Sequence, residues 1–335
     1  MAQNMSQKII WIDNLRATAC LMVVMIHSTT YYVTSGFSIG QINWDVANLL
    51  NSASRVCVPL FFMISGYLFF GEKSAQGRHV LHVLRCLLFY SALGLLYISL
   101  LTHINPWLSI RYFLVKPVFY HLWFFYAILA LYIISPLISV RAVSARYLAI
   151  VVAVLAVIAN PNLPQYSYQG IKLLPINLHI SGDMFYYLLY ALMGRSLGML
   201  HTELRRVSWS AALIFIGCVV AIAFSTYRQT QHNGGFADTY YMYCGPLVFI
   251  ASCAIFLFFK NNFNHTQSRW MAFISRHSLA IYGFHAFFIH FIRTHHLDAR
   301  SWPLVDIFMV FFFALAGSLL CSWVLGKIDR KGWVS

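Results

Sequence analysis

The residues best suited to chemistry lie in one apolar stretch, W-I-D-N-L-R-A-T-A-C-L-M-V-V-M-I-H, from Trp11 to His27. Asp13 and Arg16 stand near one end of it and His27 at the other. On a helix the spacing from Arg16 to His27 makes roughly three turns, so both side chains fall within about 20° on one face, roughly 16 Å apart along the axis. An ionisable group inside a membrane helix is costly, and its default reading is a functional site. Snorkelling to the interface would explain Arg16 alone, and a hydrogen bond to a neighbouring helix would explain His27 alone. Their shared face, with Asp13 one turn before Arg16, favours chemistry. An imidazole can take a proton as a general base, and a guanidinium can bind phosphate.

The elements that hold these groups follow from composition. Charged residues make up 10% of the 335, hydrophobic residues 60%, and mean hydropathy is +0.69. Soluble domains carry about 25% charged residues, so the expected fold is an all-α polytopic membrane protein, a single transmembrane domain across 1–335. Runs near the length of a bilayer span predict about ten transmembrane helices, at 9–33, 44–70, 80–101, 119–139, 145–159, 183–200, 208–225, 240–259, 270–293 and 302–325. The fifth and sixth are short. No internal repeat is visible, which argues against common transporter folds. The formal charge of +14 is no nucleic-acid signal, because the basic residues are scattered between apolar runs. Cysteines 20, 57, 86, 218, 244, 253 and 321 lie mostly inside those runs without a C-x-x-C pair, which indicates neither a zinc site nor a disulfide framework. The pairs His79/His82 and His295/His296 read as solvated loop residues, so no metal is implied. The first run lacks a small-residue cleavage site and reads as a retained helix.

Lys and Arg set the orientation. With the N-terminus in the cytoplasm, sixteen of them fall on that side: Lys8, Arg16, Lys73, Arg78, Arg85, Arg141, Arg146, Arg195, Arg205, Arg206, Lys260, Arg269, Arg276, Lys327, Arg330 and Lys331. Six fall opposite (Arg111, Lys116, Lys172, Arg228, Arg293 and Arg300), and Arg55 is left inside the membrane. The bias predicts both termini in the cytoplasm. Depth then follows. His27, Arg55, His121 and His285 fall in the outer half, with Trp123 and Tyr126 beside His121. Asp13, Arg16, Tyr67, Lys73, Arg78, Arg85 and Arg276 fall towards the inner end. Arg55 most needs a partner or polar cavity. An interfacial place beside Trp123 accounts for His121 slightly better than catalysis does. Helix packing would serve His285 equally well, and the positive-inside rule already explains Arg78 and Arg85. Pro59 should loosen the second helix, and Gly66 should permit close helix approach. The longest outer loop, 160–182, is rich in Pro, Asn and Gly and should be irregular. It either joins two helices or lines an acceptor site.

These motifs resemble a known family. D-N-L-R followed by His27 looks like the first-helix signature of the membrane-bound acyltransferase-3 proteins. R-V-C-V-P-L-F-F-M-I-S-G-Y-L resembles their second-helix pattern, and Arg78 and Arg85 sit where the family carries basic residues. H-L-W-F-F-Y and S-L-A-I-Y-G-F-H resemble its later patterns. The chain ends soon after its last span, so no appended soluble domain is expected. The resemblance implies acetyl transfer from cytoplasmic acetyl-CoA to a sugar hydroxyl on a glycan or lipid-linked oligosaccharide, across a bacterial inner membrane. Asp13, Arg16, Tyr67, Lys73, Arg78, Arg85 and Arg276 would then serve the donor. His27 would be the base, Arg55 or His121 would stabilise the oxyanion, and Trp123, Tyr126 and His285 would line the acceptor path. A carrier role for His27, through an acetyl-imidazole, is equally compatible. A transporter or flippase for an anionic or lipid-linked glycan is the rival from another class.

Overall fold

The computed structural model describes residues 9–102, 104–202 and 204–334; Lys8 lies outside the described residues. Helix α1 (Ile10–Thr34) is the axis of the bundle, with Leu15, Ala17, Ala19 and Val24 fully buried. The second apolar segment is two helices, α2 (Gln41–Ser54) and α3 (Cys57–Phe69). The break falls at Arg55 and Val56, ahead of Pro59. Pro59 has no N–H to return to the Arg55 carbonyl, so the bond that would carry the helix across the junction cannot form.

Next come α4 (Gly77–Leu101), the short α5 (Pro106–Arg111), and α6 (Trp123–Ile134) behind a 3₁₀ turn at Tyr120–Leu122. His79 caps α4 and its neighbour His82 lies in the same helix, where sequence placed both in a loop: the His79 ring accepts the Gln76 N–H at 2.9 Å. Helix α7 (Ala145–Val151) continues as a π turn over Val152–Ile158. Five helices follow: α8 (Asp183–Met199), α9 (Arg205–Asn233), α10 (Pro246–Asn262), α11 (Arg269–Thr294) and α12 (Pro303–Ile328).

Each apolar run of the sequence coincides with helix, but among the described residues seven segments are long and apolar enough to cross a membrane. The shortfall from about ten has physical causes. The stretch Ala145–Ile158 is short, α8 has only 17 residues, and α11 is diluted by Arg276, His277, His285 and His290. The fold is mostly helical, as an all-α polytopic membrane protein should be, and the strands among the described residues form one small hairpin. The loop 160–182 holds a hairpin, β1 (Tyr166–Tyr168) paired antiparallel with β2 (Ile171–Leu174). Its turn residues Gln169 (φ 48°) and Gly170 (φ 82°) both have positive φ, as a two-residue hairpin turn demands.

Packing fixes the directions. Asp13 meets Ser275 and His27 meets His285, so α1 and α11 run parallel. Tyr32 meets Asp306 in the first turn of α12, so α1 and α12 run antiparallel. The start of α1 and the end of α12 therefore share one end of the bundle, the terminal end; the hairpin lies at the other. Helices α3 and α8 nearly touch backbone to backbone. A Cβ on Gly66 would lie 1.9 Å from the Ala191 carbonyl oxygen, and one on Gly194 would lie 2.1 Å from that of Met63. Small residues are how helices approach where no water drives them together.

Candidate active site

At the hairpin end a cavity of about 860 Å³ is lined by His27, Arg55, Tyr120, Tyr187, Tyr241 and Arg293 among others. His27, half-buried on α1, also lines a smaller cavity of about 30 Å³ with His121, Trp123, Tyr243 and Tyr282. Its ring centre lies 5.1 Å from that of Tyr120 and 5.1 Å from that of His285. His121, in turn, lies 5.3 Å from His285. Three histidines from distant parts of the chain thus stand side by side. His121 is buried rather than interfacial, with its Nε2 at 3.1 Å from the Gly283 carbonyl. The Tyr282 hydroxyl donates to the carbonyl of His121.

Arg55 occupies the break between α2 and α3, which turns it into the cavity. Its Nε donates to Asn51 Oδ1 at 2.8 Å and its Nη1 to the Tyr241 carbonyl at 3.3 Å. The guanidinium lies 4.1 Å from the Tyr241 ring centre. Among the described residues no carboxylate pairs with it. Neutral acceptors and a π face hold the side chain in place while leaving its charge unneutralised, which suits a group that meets a developing anion. Asn51 is itself fixed, donating to Thr29 Oγ1 at 2.8 Å on α1. Trp123 lines the smaller cavity, whereas Tyr126 donates to the Phe113 carbonyl at 2.6 Å and lines neither cavity. His285 is fully buried behind His27.

The remaining sequence candidates gather at the terminal end. Arg16 and Asp13 pair at 3.0 Å, and Asp13 also accepts from Ser275 Oγ at 3.2 Å. Tyr67 packs edge-on against Trp11, and its carbonyl accepts from Arg195 Nη1 at 3.4 Å. Lys73, Arg78 and Arg276 are exposed, and Arg85 lies 5.3 Å from the ring centre of Trp333.

Sequence reasoning missed a second polar cluster on the cavity rim. Arg293 had counted only as an outer basic residue. Its Nη1 contacts Asp298 Oδ2 at 3.0 Å and Asp306 Oδ2 at 2.6 Å. The Tyr32 hydroxyl donates to Asp306 at 2.7 Å, as does the Ala299 N–H at 2.7 Å. The signal was Asp306 itself, a carboxylate inside an apolar run, which demands a partner. Tyr241 ends a 3₁₀ turn and Tyr243 follows it, ahead of α10, within the run 240–259 expected as helix; that stretch carries no motif, so nothing marked them.

Residues 9–327 match an acyltransferase domain, that of the acyltransferase-3 family. No curated protein and no solved structure matches the chain. The matched span runs from the first residue of the described chain almost to the end of α12, and so includes both cavities and the whole face of α1 from Asp13 to His27. This multi-pass membrane protein is a member of the acyltransferase-3 family.

Proposed function

We propose that the protein is an O-acetyltransferase of a bacterial inner membrane, moving an acetyl group from acetyl-CoA to a sugar hydroxyl. The observation that carries this reading is the position of His27: it lines both cavities, and it shares the larger one with an Arg55 that no carboxylate among the described residues neutralises. In the proposal all of the roughly ten apolar segments cross the bilayer, the terminal end is cytoplasmic and the hairpin end periplasmic. Acetyl-CoA supplies the thioester from the terminal end. Arg16, Lys73, Arg78, Arg85 and Arg276 would bind its phosphates, with Asp13 orienting Arg16 and Tyr67 beside the arm.

The chemistry then falls to His27. The sugar hydroxyl gives its proton to the imidazole as its oxygen bonds to the thioester carbonyl carbon. Arg55 stabilises the oxyanion; His121, whose N–H is taken by the Gly283 carbonyl, has no donor left for it. The C–S bond breaks, and His27 returns the proton to the departing thiolate. Tyr31, Tyr120, Tyr187 and Tyr241 give the cavity aromatic walls, and Asp183 and Asp238 on its rim can accept from hydroxyls. Both features suit a sugar. Trp123 shares the smaller cavity with His27 and packs 5.6 Å from the ring centre of Tyr187 on the larger one, and the buried His285 backs the His27 ring. The stretches W-I-D-N-L-R, N-S-A-S-R-V, K-P-V-F-Y-H-L-W-F-F and I-S-R-H-S-L-A-I-Y-G-F-H resemble the enterobacterial common antigen O-acetyltransferase. That resemblance points to N-acetylglucosamine of this antigen as the acceptor.

Acetyl-CoA binding by detergent-purified wild type, Arg16→Ala and His27→Ala tests the reading. Wild type and His27→Ala should bind alike, and Arg16→Ala should bind about tenfold or more weakly. No binding by wild type would overturn the proposal and put a transporter or flippase of an anionic or lipid-linked glycan in its place.

A further inference from the structure

His285 lines neither cavity and is fully buried, yet it sits between His27 and His121. Its Nδ1 lies 2.7 Å from the Tyr282 carbonyl oxygen and 3.1 Å from that of Ile281. Carbonyls only accept, so Nδ1 carries the proton and Nε2 is left with a lone pair. The same argument applies to His121. Its Nε2 donates to the Gly283 carbonyl, which leaves Nδ1 as the acceptor. Both of these acceptor nitrogens are buried and, among the described residues, without a partner. Two lone pairs cannot bond each other, and a buried acceptor left unmet is costly.

The donor has to come from a third group, and His27 is placed to supply it. Its ring centre lies 5.1 Å from that of His285, with 36° between the planes. Two ring radii of roughly 1.1 Å plus an N–H···N separation of about 3 Å give about 5.2 Å, so a tilt of the His27 ring completes the bond without moving either helix. We infer that His285 is a positioning residue for His27: its Nε2 accepts the His27 N–H, which fixes one tautomer and leaves the other His27 nitrogen bare towards the reacting hydroxyl. When that nitrogen takes a proton, the same bond to His285 becomes charge-assisted and holds the imidazolium. The role is that of the orienting third member of a nucleophile–base–orienter set, filled here by a neutral imidazole instead of a carboxylate. The inference rests on His27 acting as the base.

The test uses the full-length protein in detergent, with release of thiol from acetyl-CoA as the kinetic readout and the ¹⁵N signals of the His27 ring, assigned with His27→Gln, as the second. His285→Leu removes the acceptor, while His285→Gln keeps a side-chain oxygen that can accept. His285→Leu should lower kcat about 100-fold with KM for acetyl-CoA unchanged, and His285→Gln should recover most of that loss. In the spectra, wild type should hold His27 in one tautomer and His285→Leu should mix the two. Equal kcat in wild type and His285→Leu, or an unchanged His27 tautomer in the variant, would overturn the inference. The spectra need no turnover. A tautomer change in a protein that does not consume acetyl-CoA would leave the hydrogen bond standing and remove only the acetyltransferase reading.

Discussion

At its C-terminal half α1 places His27 among buried imidazoles, beside a guanidinium fixed by Asn51 and Tyr241 and under a rim where Arg293, Asp298, Asp306 and Tyr32 lock together. At its N-terminal half the same helix holds a half-buried Arg16 against Asp13, with Lys73, Arg78 and Arg276 exposed around that end. Near His27, Arg55 and Arg293 are each held by more than one partner and only partly exposed. Around Arg16 the basic side chains Lys73, Arg78 and Arg276 are exposed. A reacting centre gains from fixed dipoles in a dry site, whereas an anion arriving from solution needs accessible charge more than rigid geometry. On this view the two ends of one helix are built for different tasks.

The contrast can be broken most sharply at His27. His27→Ala should lower acetyl transfer by at least about 100-fold while leaving acetyl-CoA affinity nearly intact; if calorimetry finds affinity lost as well, the division of labour along α1 fails. The next largest effect concerns the rim. Asp306→Ala removes a buried carboxylate, leaving Arg293 with Asp298 alone and the Tyr32 hydroxyl and Ala299 N–H without their acceptor, and should destabilise the protein by about 3 kcal/mol in detergent unfolding. Arg16→Ala, from a half-exposed pair, should change stability by less than about 1 kcal/mol but weaken acetyl-CoA binding about tenfold or more. Equal stability losses in the two variants would erase the distinction between a locked end and an open one.

The packing beneath both ends gives a further check. Gly66→Val puts a side chain where the Ala191 carbonyl now sits and should cost about 1–3 kcal/mol, read as a lower unfolding temperature. The smallest effect is expected with acid. Asp298 lies in the loop between α11 and α12; burial pushes its carboxyl up, but hydrogen bonds from Arg300 and Arg293 outweigh that and hold it below the ordinary value. A depressed carboxyl stabilises the fold above its unfolded-state value, and that contribution fades as pH falls through the folded-state value. Asp298→Asn should therefore remove part of the stability lost between neutral and acidic pH, seen as a flatter acid limb of the unfolding temperature against pH.

How far the chain could be read without coordinates differs from one feature to the next. The Asp13–Arg16 pair was legible because its members are one helical turn apart, and such neighbours meet in any helix. The apolar runs were legible as helical because bilayer length and composition leave few choices, but their ends were not: the run 44–70 is two helices, and α9 reaches Asn233 rather than 225. Arg55 stood out because a guanidinium in mid-membrane demands an explanation, though its place at a helix break did not. That break depends on Pro59 denying the Arg55 carbonyl a donor, and sequence pointed to Pro59 itself.

The sequence by itself determined that this is a helical membrane protein, which apolar runs its helices occupy, and that His27 and Arg16 share one face of the first helix. These depend on composition and on local geometry. Only the tertiary structure decided that His121 and His285 join His27, that Arg55 faces the same cavity, and that Arg293 is locked to Asp306. The physical reason is that lipid tails and helix surfaces are about equally apolar, so a hydrophobic pattern does not encode which helix packs against which. Neighbours in such a bundle are chosen by close fits such as Gly66 against Ala191 and by polar groups finding partners across helices, and both are properties of the assembled molecule.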